Sequence, residues 1–263
     1  MLRFQHTAAF VPHAGVKPLV LLHGFCEDLR IWTETLWADL SDLPVVAIDL
    51  PGFGSSPLAA QPGMDVCASA VLGLMQTLGI GQCVLLGHSM GGYVALEALA
   101  QNPRPFAGIG LIHSHPFADD ETRIANRRRG IGLLRSGKQD AYVAQLFPGL
   151  FDPEWASAHP AILNDLTAQA QQYPAEAIAQ ALEGMIARAD HSDTLRKAPC
   201  PVLIVAGERD ALIPPTMALE AAAMPTVCQI ELLADAAHMG MYESPERLAR
   251  IIRDFYDFSI TSS

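Results

Sequence analysis

The run Cys83-Val84-Leu85-Leu86 leads directly into Gly87-His88-Ser89-Met90-Gly91-Gly92, and that turn leads directly into Tyr93-Val94-Ala95-Leu96-Glu97-Ala98-Leu99. A strand-like stretch therefore reverses into a helix-like one with no intervening loop, which only small neighbours permit. Such a step commits the chain to a sheet covered by helices. Ser89 stands at the apex, where the sharp turn strains its backbone and lifts its hydroxyl above the sheet. Ser89 is thus a candidate nucleophile, and the main-chain N–H of Met90 is a candidate donor to a developing oxyanion.

Two partners follow in chain order. Pro201-Val202-Leu203-Ile204-Val205-Ala206 reads as a strand buried on both faces, and Gly207-Glu208-Arg209-Asp210 carries a carboxylate just beyond it. After a further strand candidate, Gln229–Leu233, the small-residue loop Ala234-Asp235-Ala236-Ala237-His238-Met239-Gly240 holds a histidine. Asp210 is the expected acid and His238 the expected base. Asp235 is a rival acid, but it stands too near His238 in the loop to swing round to the far ring nitrogen. Serine, acid and histidine all fall at strand ends, on the edge where open α/β sheets build their sites.

Leu21-Leu22-His23-Gly24-Phe25, Asp49-Leu50-Pro51-Gly52-Phe53-Gly54-Ser55-Ser56, Gly87 to Gly92, Gly207 to Asp210 and Ala237-His238-Met239 span nearly the whole chain. With these five ordered segments the sequence resembles the α/β-hydrolase superfamily, in its capped serine esterase, lactonase and C–C hydrolase branch. The resemblance implies a mostly parallel, doubly wound α/β sheet of the α/β-hydrolase type with an inserted helical cap. It also implies that Ser89, Asp210 and His238 form a catalytic triad, and that the Phe25 N–H pairs with that of Met90 as the oxyanion hole. His23 is expected to brace its loop, and the turn after Asp49 to be scaffold.

The insertion is visible in the residues themselves. From about Pro116 to Asp190 the β-branched runs vanish, and segments such as Ala161–Ala170 and Pro174–Ile186 space apolar residues at three and four, as amphipathic helices do. The expected organisation is residues 1–115 as the first part of the core, 116–190 as the helical cap and 191–263 as the second part. Pro245 to Phe258 reads as a closing helix, with the proline where a missing N–H is harmless. Within the cap, the stretch from Asp119 to Gly137 sets acids before bases, including Arg127-Arg128-Arg129, matching a helix dipole; an arginine there could also meet an acidic substrate group. His113 and His115 close the strand beginning at Gly108, and His113 is expected at the cleft, in contact with substrate or supporting the triad.

Composition narrows the functional classes. A net charge of −11 disfavours nucleic acid and anionic membranes as partners. No apolar stretch reaches the roughly 18 residues that span a bilayer, and the N-terminus lacks a signal-like apolar segment, so a cytoplasmic protein is expected. Five cysteines, Cys26, Cys67, Cys83, Cys200 and Cys228, form neither a disulfide framework nor a metal-spaced pair. Most are expected to be small buried hydrophobes, with Cys26 within reach of thiol reagents. No metal ligand set and no cofactor are implied. The leading expectation is a carboxylic-ester hydrolase acting on a small or medium substrate through an acyl-enzyme on Ser89. A lactonase or C–C bond hydrolase would use the same triad, and a non-catalytic ligand receptor on this fold would not need it. Oligomeric state and acyl preference are not encoded in these patterns.

Overall fold

A computed structural model describes residues 1–261. Seven strands form one sheet: β1 (Phe4–His6), β2 (Leu19–Leu22), β3 (Val45–Ile48), β4 (Cys83–His88), β5 (Phe106–Ile112), β6 (Val202–Gly207) and β7 (Cys228–Leu233), in the order β1-β3-β2-β4-β5-β6-β7. All neighbours pair in parallel except β1, which runs antiparallel along β3. Every residue of β2 to β6 is buried, because flanking helices cover both faces, and this is why those strands read as unbroken apolar runs. Each buried Leu, Ile or Val contributes about 1.5–3 kcal/mol by leaving water, so the central strands dominate the core.

The register fixes which loops meet. Gly87 pairs with Leu22 on one side and Leu111 on the other, and His88 pairs with Ile112. Ser89, the His23–Phe25 loop, His113, Asp210 and the His238 loop therefore leave the sheet at the same edge, beyond the strands' carboxyl ends. The helix Met90–Gln101 starts immediately after Ser89. The closing helix runs Pro245–Thr261 and turns Leu248, Ile252 and Phe255 into the core.

Between β5 and β6 the chain makes helices at Glu121–Arg135, Gln139–Leu146, Pro153–Ala158, Pro160–Ala170 and Ala175–Ala187. Asp120 caps the first of these by accepting the Arg123 N–H. The two crossings into this insertion are clasped together. Arg188 reaches Asp119 Oδ1 at 2.9 Å and the Phe117 carbonyl at 2.9 Å, while the His191 N–H donates to the Pro116 carbonyl at 2.8 Å. The same guanidinium stacks 4.0 Å over the Tyr93 ring, fastening the clasp to the helix that follows Ser89. Among the described residues, no helix is long and apolar enough to cross a membrane.

Candidate active site

Ser89 adopts φ 48° and ψ −113°, a region that L-residues occupy only where neighbours enforce it. The enforcement is visible on both sides. Its N–H donates to the Ile112 carbonyl at 2.9 Å, and its own carbonyl accepts the Ser114 hydroxyl at 2.7 Å. A Cβ on Gly87 would stand 2.2 Å from the carbonyl of Gly91, so strand and helix meet this closely only with glycine there. Met90 is the first residue of the helix, where N–H groups have no partner within the helix itself.

His238 Nδ1 donates to Asp210 Oδ2 at 2.7 Å, with both side chains buried. The other oxygen, Oδ1, accepts the N–H groups of Leu212 and Ile213 at 2.9 and 2.8 Å, which fixes the carboxylate plane. Burial alone would raise the Asp210 carboxyl, but the facing His238 and His113 imidazoles outweigh it and hold the group far below its ordinary range. Asp235 pairs instead with Arg209 at 3.7 Å.

His113 is fully buried behind this pair, and it too is left-handed, at φ 48°. Its Nε2 accepts the Gly240 N–H at 3.3 Å, so Nδ1 carries the proton and lies 3.7 Å from Asp210 Oδ2. Burial, above all, lowers its pKa to about 4 and keeps it neutral. It is not among the residues lining the cavity described below. His113, Asp210 and His238 thus offer three potential ligand atoms within 4.8 Å. Here the Asp210 oxygen is engaged by a ring N–H, which gives an acid–base pair rather than a pair of free donors.

Ser89 and His238 line one cavity of about 290 Å³. Phe25, Glu27 and Tyr93 join them from the core, while Arg123, Tyr142, Leu146, Leu182 and Met185 close it from the helical insertion. Arg123 donates to the Leu212 carbonyl at 3.1 Å and, among the described residues, has no carboxylate partner. Arg127, by contrast, is neutralised by Asp119 at 2.5 Å. Arg128 and Arg129 are exposed, as a solvated helix face requires. His23 braces its loop as expected, donating to the Gly24 carbonyl at 2.8 Å and accepting the Leu50 N–H at 2.9 Å.

Two carboxylates escaped the sequence reading. Glu27 is buried against His88, with Oε2 accepting from His88 Nδ1 at 2.9 Å and from the Gly24 N–H at 2.7 Å. His88 Nε2 donates onward to the His238 carbonyl at 2.9 Å. A carbonyl only accepts, so the ring carries a proton at Nε2, and one further proton is shared with Glu27. Burial opposes both charges, yet their mutual attraction prevails, lowering the Glu27 pKa and raising that of His88. Glu243 grips the histidine loop: Oε2 accepts the N–H groups of Ala237 and Met239 at 2.9 and 3.1 Å, and Oε1 that of Asp152 at 2.7 Å. A glutamate two residues after the His23-Gly24-Phe25 segment was the one available hint for Glu27. Cys26 corrects an expectation, since it is buried and its thiol is pushed well up, by burial first and then by Glu27.

This doubly wound sheet, with its serine elbow and buried acid–histidine pair beside a cavity, defines a hydrolytic enzyme of the α/β class. Residues 19–251 match the model of the alpha/beta hydrolase family, and the chain belongs to that family. A curated relative is the biotin biosynthesis bifunctional protein BioHC of Cellvibrio japonicus, 28% identical over 255 residues; the match covers 93% of this chain but 48% of that protein, so the chain spans about half its length. The pimeloyl-[acyl-carrier protein] methyl ester esterase of Neisseria meningitidis is 27% identical over 263 residues, covering 97% of this chain and 81% of the relative. Among solved structures, a thermophilic esterase from Thermogutta terrifontis with malate bound superposes with a TM-score of 0.90 at 30% identity, over 98% of this chain and 93% of that one.

Proposed function

We propose that the protein is a serine carboxylic-ester hydrolase working through an acyl-enzyme on Ser89. The observation that carries this reading is the 2.7 Å bond from His238 Nδ1 to Asp210, which leaves Nε2 to act as a base in the cavity that Ser89 also lines. His238 takes the Ser89 proton as the hydroxyl attacks an ester carbonyl, and Asp210 stabilises the resulting imidazolium. The N–H groups of Phe25 and Met90 receive the oxyanion, each worth about 2.7–4 kcal/mol to the transition state. His238 then passes the proton to the leaving alcohol, and water completes the cycle. We assign His113 to the support of Asp210 rather than to substrate.

The insertion, residues 116–190, acts as the cap that shapes the acyl pocket and excludes water. The cavity volume suits a small or medium ester. The esterase relatives support this class. Arg123, facing the cavity without a carboxylate, favours an acidic substituent on the substrate, as a C–C bond hydrolase or lactonase would also accept. Five free cysteines suit a reducing, cytoplasmic setting.

The test is a panel of p-nitrophenyl acetate, butyrate and longer esters, with fluorophosphonate labelling. Ser89→Ala should abolish both label and turnover, lowering kcat by about 10⁶-fold. Inertness to esters and lactones alongside turnover of a vinylogous diketone would select the C–C hydrolase reading. Failure of native protein to take the label would select a receptor.

A further inference from the structure

Among the described residues, Arg123 is the one arginine that is not exposed and yet has no carboxylate beside it; Arg127, Arg188 and Arg253 each pair with an aspartate. Its hydrogen bonds do not make up for that partner. Nη2 donates to the Leu212 carbonyl at 3.1 Å, but Nη1 stands 3.0 Å from His115 Nε2. The same ring already meets the Phe117 N–H at Nδ1 and the Tyr93 hydroxyl at Nε2, both at 3.2 Å. Burial first, and then Arg188 and Arg123, lower the His115 pKa to about 3 and keep the ring neutral. A neutral imidazole has one acceptor nitrogen, so either Nη1 of Arg123 or the Phe117 N–H faces a ring N–H. An acceptor in the cavity that drew Nη1 to itself would relieve this mismatch.

We infer that Arg123 receives one free carboxylate at the end of the substrate remote from its ester bond, so that the substrate is a half-ester of a dicarboxylic acid or an acylated hydroxy acid; this rests on the Ser89 hydrolase reading. Arg123 lines the cavity together with Asn126 and Leu212, which are exposed, so this end opens to solvent, whereas His238 at the ester end is buried. Charge sets the number of carboxylates. Asp119 cancels Arg127 and His88 cancels Glu27, which leaves Arg123 as the unmatched charge in the wall. A carboxylate answers it with a single charge and with oxygens spaced for the guanidinium fork, whereas a phosphate monoester brings up to a second charge with nothing to meet it. Asn126 and Tyr142 line the same cavity, and Asn126 Oδ1 is taken by Arg129 at 3.0 Å. These two can hydrogen-bond neutral and charged groups alike, so they add hold without selecting charge.

Two matched pairs of esters, followed by pH-stat titration, test this. Monomethyl glutarate against methyl glutaramate varies the charge on the acyl side, and O-acetyl-γ-hydroxybutyrate against its amide varies it on the alcohol side. Wild-type protein should favour the carboxylate member of at least one pair by about tenfold or more in kcat/KM, chiefly through KM, and the pair that responds tells which side of the ester lies toward Arg123. Arg123→Gln should bring that ratio down to about one or below. No preference for either carboxylate in the wild type, or a preference that survives Arg123→Gln, would overturn the inference. So would failure to turn over any member by protein that takes a fluorophosphonate label. If Arg123→Gln takes no label, Arg123→Lys, which keeps the charge but loses the fork, is read in its place: the ratio should fall, and an unchanged ratio would overturn the inference. Wild-type protein that takes no label would instead overturn the Ser89 reading itself.

Discussion

The main-chain N–H of His238 donates to the carbonyl of Leu150 at 2.9 Å, so the core's candidate base is hydrogen-bonded to the helical insertion that roofs it. Glu243 strengthens that link by bonding to the N–H groups on either side of His238 and to Asp152 of the insertion. The position of the imidazole is therefore set jointly by loop, core helix and insertion.

Glu243→Ala strips three N–H groups of their acceptor at once. With about 1–3 kcal/mol at stake for each buried donor left unpaired, urea unfolding should show a loss of at least about 2 kcal/mol. Turnover of a p-nitrophenyl ester should also fall by about tenfold or more as the imidazole loses its fixed place. Wild-type stability with full activity would show that the three bonds carry no weight.

The elbow predicts a contrast between two glycines. Gly87→Ala forces a methyl against the Gly91 main chain, and overpacking of this kind costs typically about 1–3 kcal/mol or more, with the alignment of Ser89 lost. Gly73→Ala, in the helix Met64–Thr77 with nothing within 4 Å of the new methyl, should raise stability by about 0.5–1 kcal/mol. Thermal melts of the two variants should move in opposite directions.

Stability should decline with acid in a defined window. Burial is the main reason that His113 is lowered to about 4 and His115 to about 3, the latter also facing Arg188, Arg123 and Arg127, with Asp119 opposing. From the ordinary value of 6.5 down to those values, the unfolded chain binds about two more protons than the folded one, so the folded state loses ground as pH falls. His88 acts in the other direction: its raised pKa makes its contribution full below 6.5 and diminishing as pH climbs through the folded value. The Tm should drop between pH 6.5 and 4.5, and His115→Asn should roughly halve the slope. A flat Tm across that window would refute the buried neutral state of both rings.

Thiol chemistry should follow burial. Cys67 and Cys228 are half-buried, with pKa values pushed by burial to about 12 and 11, whereas Cys26 is wholly enclosed. A disulfide reagent such as dithionitrobenzoate should leave Cys26 intact in the native protein and modify it only in denaturant. Peptide mapping that finds Cys26 labelled natively would reveal an opening absent from this structure.

The parallel strands were legible because each is covered on both faces, so β2, β3 and β6 appear as continuous apolar runs that no surface element would tolerate. β1 left no such trace, being three residues of half-exposed edge. The elbow, acid and histidine were legible for the same geometric reason, since each directly follows a recognisable strand. Glu27 and Glu243 were not, because a glutamate in a loop or a short helix reads as solvated, and only a partner distant in sequence, His88 for the one and Asp152 for the other, makes burial tolerable. The helices of the insertion could be read from their spacing, but which arginine would face inward could not. Arg123 and Arg127 differ by one turn, and the position of Asp119 decides which of them is neutralised.

The clasp formed by Arg188, Asp119, Phe117 and Tyr93 anchors the insertion where its two crossings meet. A part joined in this manner is exchangeable: a different set of helices could be spliced between those anchor residues without disturbing the strands beneath, provided that it again offers an acceptor to the His238 N–H and a donor to Glu243, letting a lineage change what it digests.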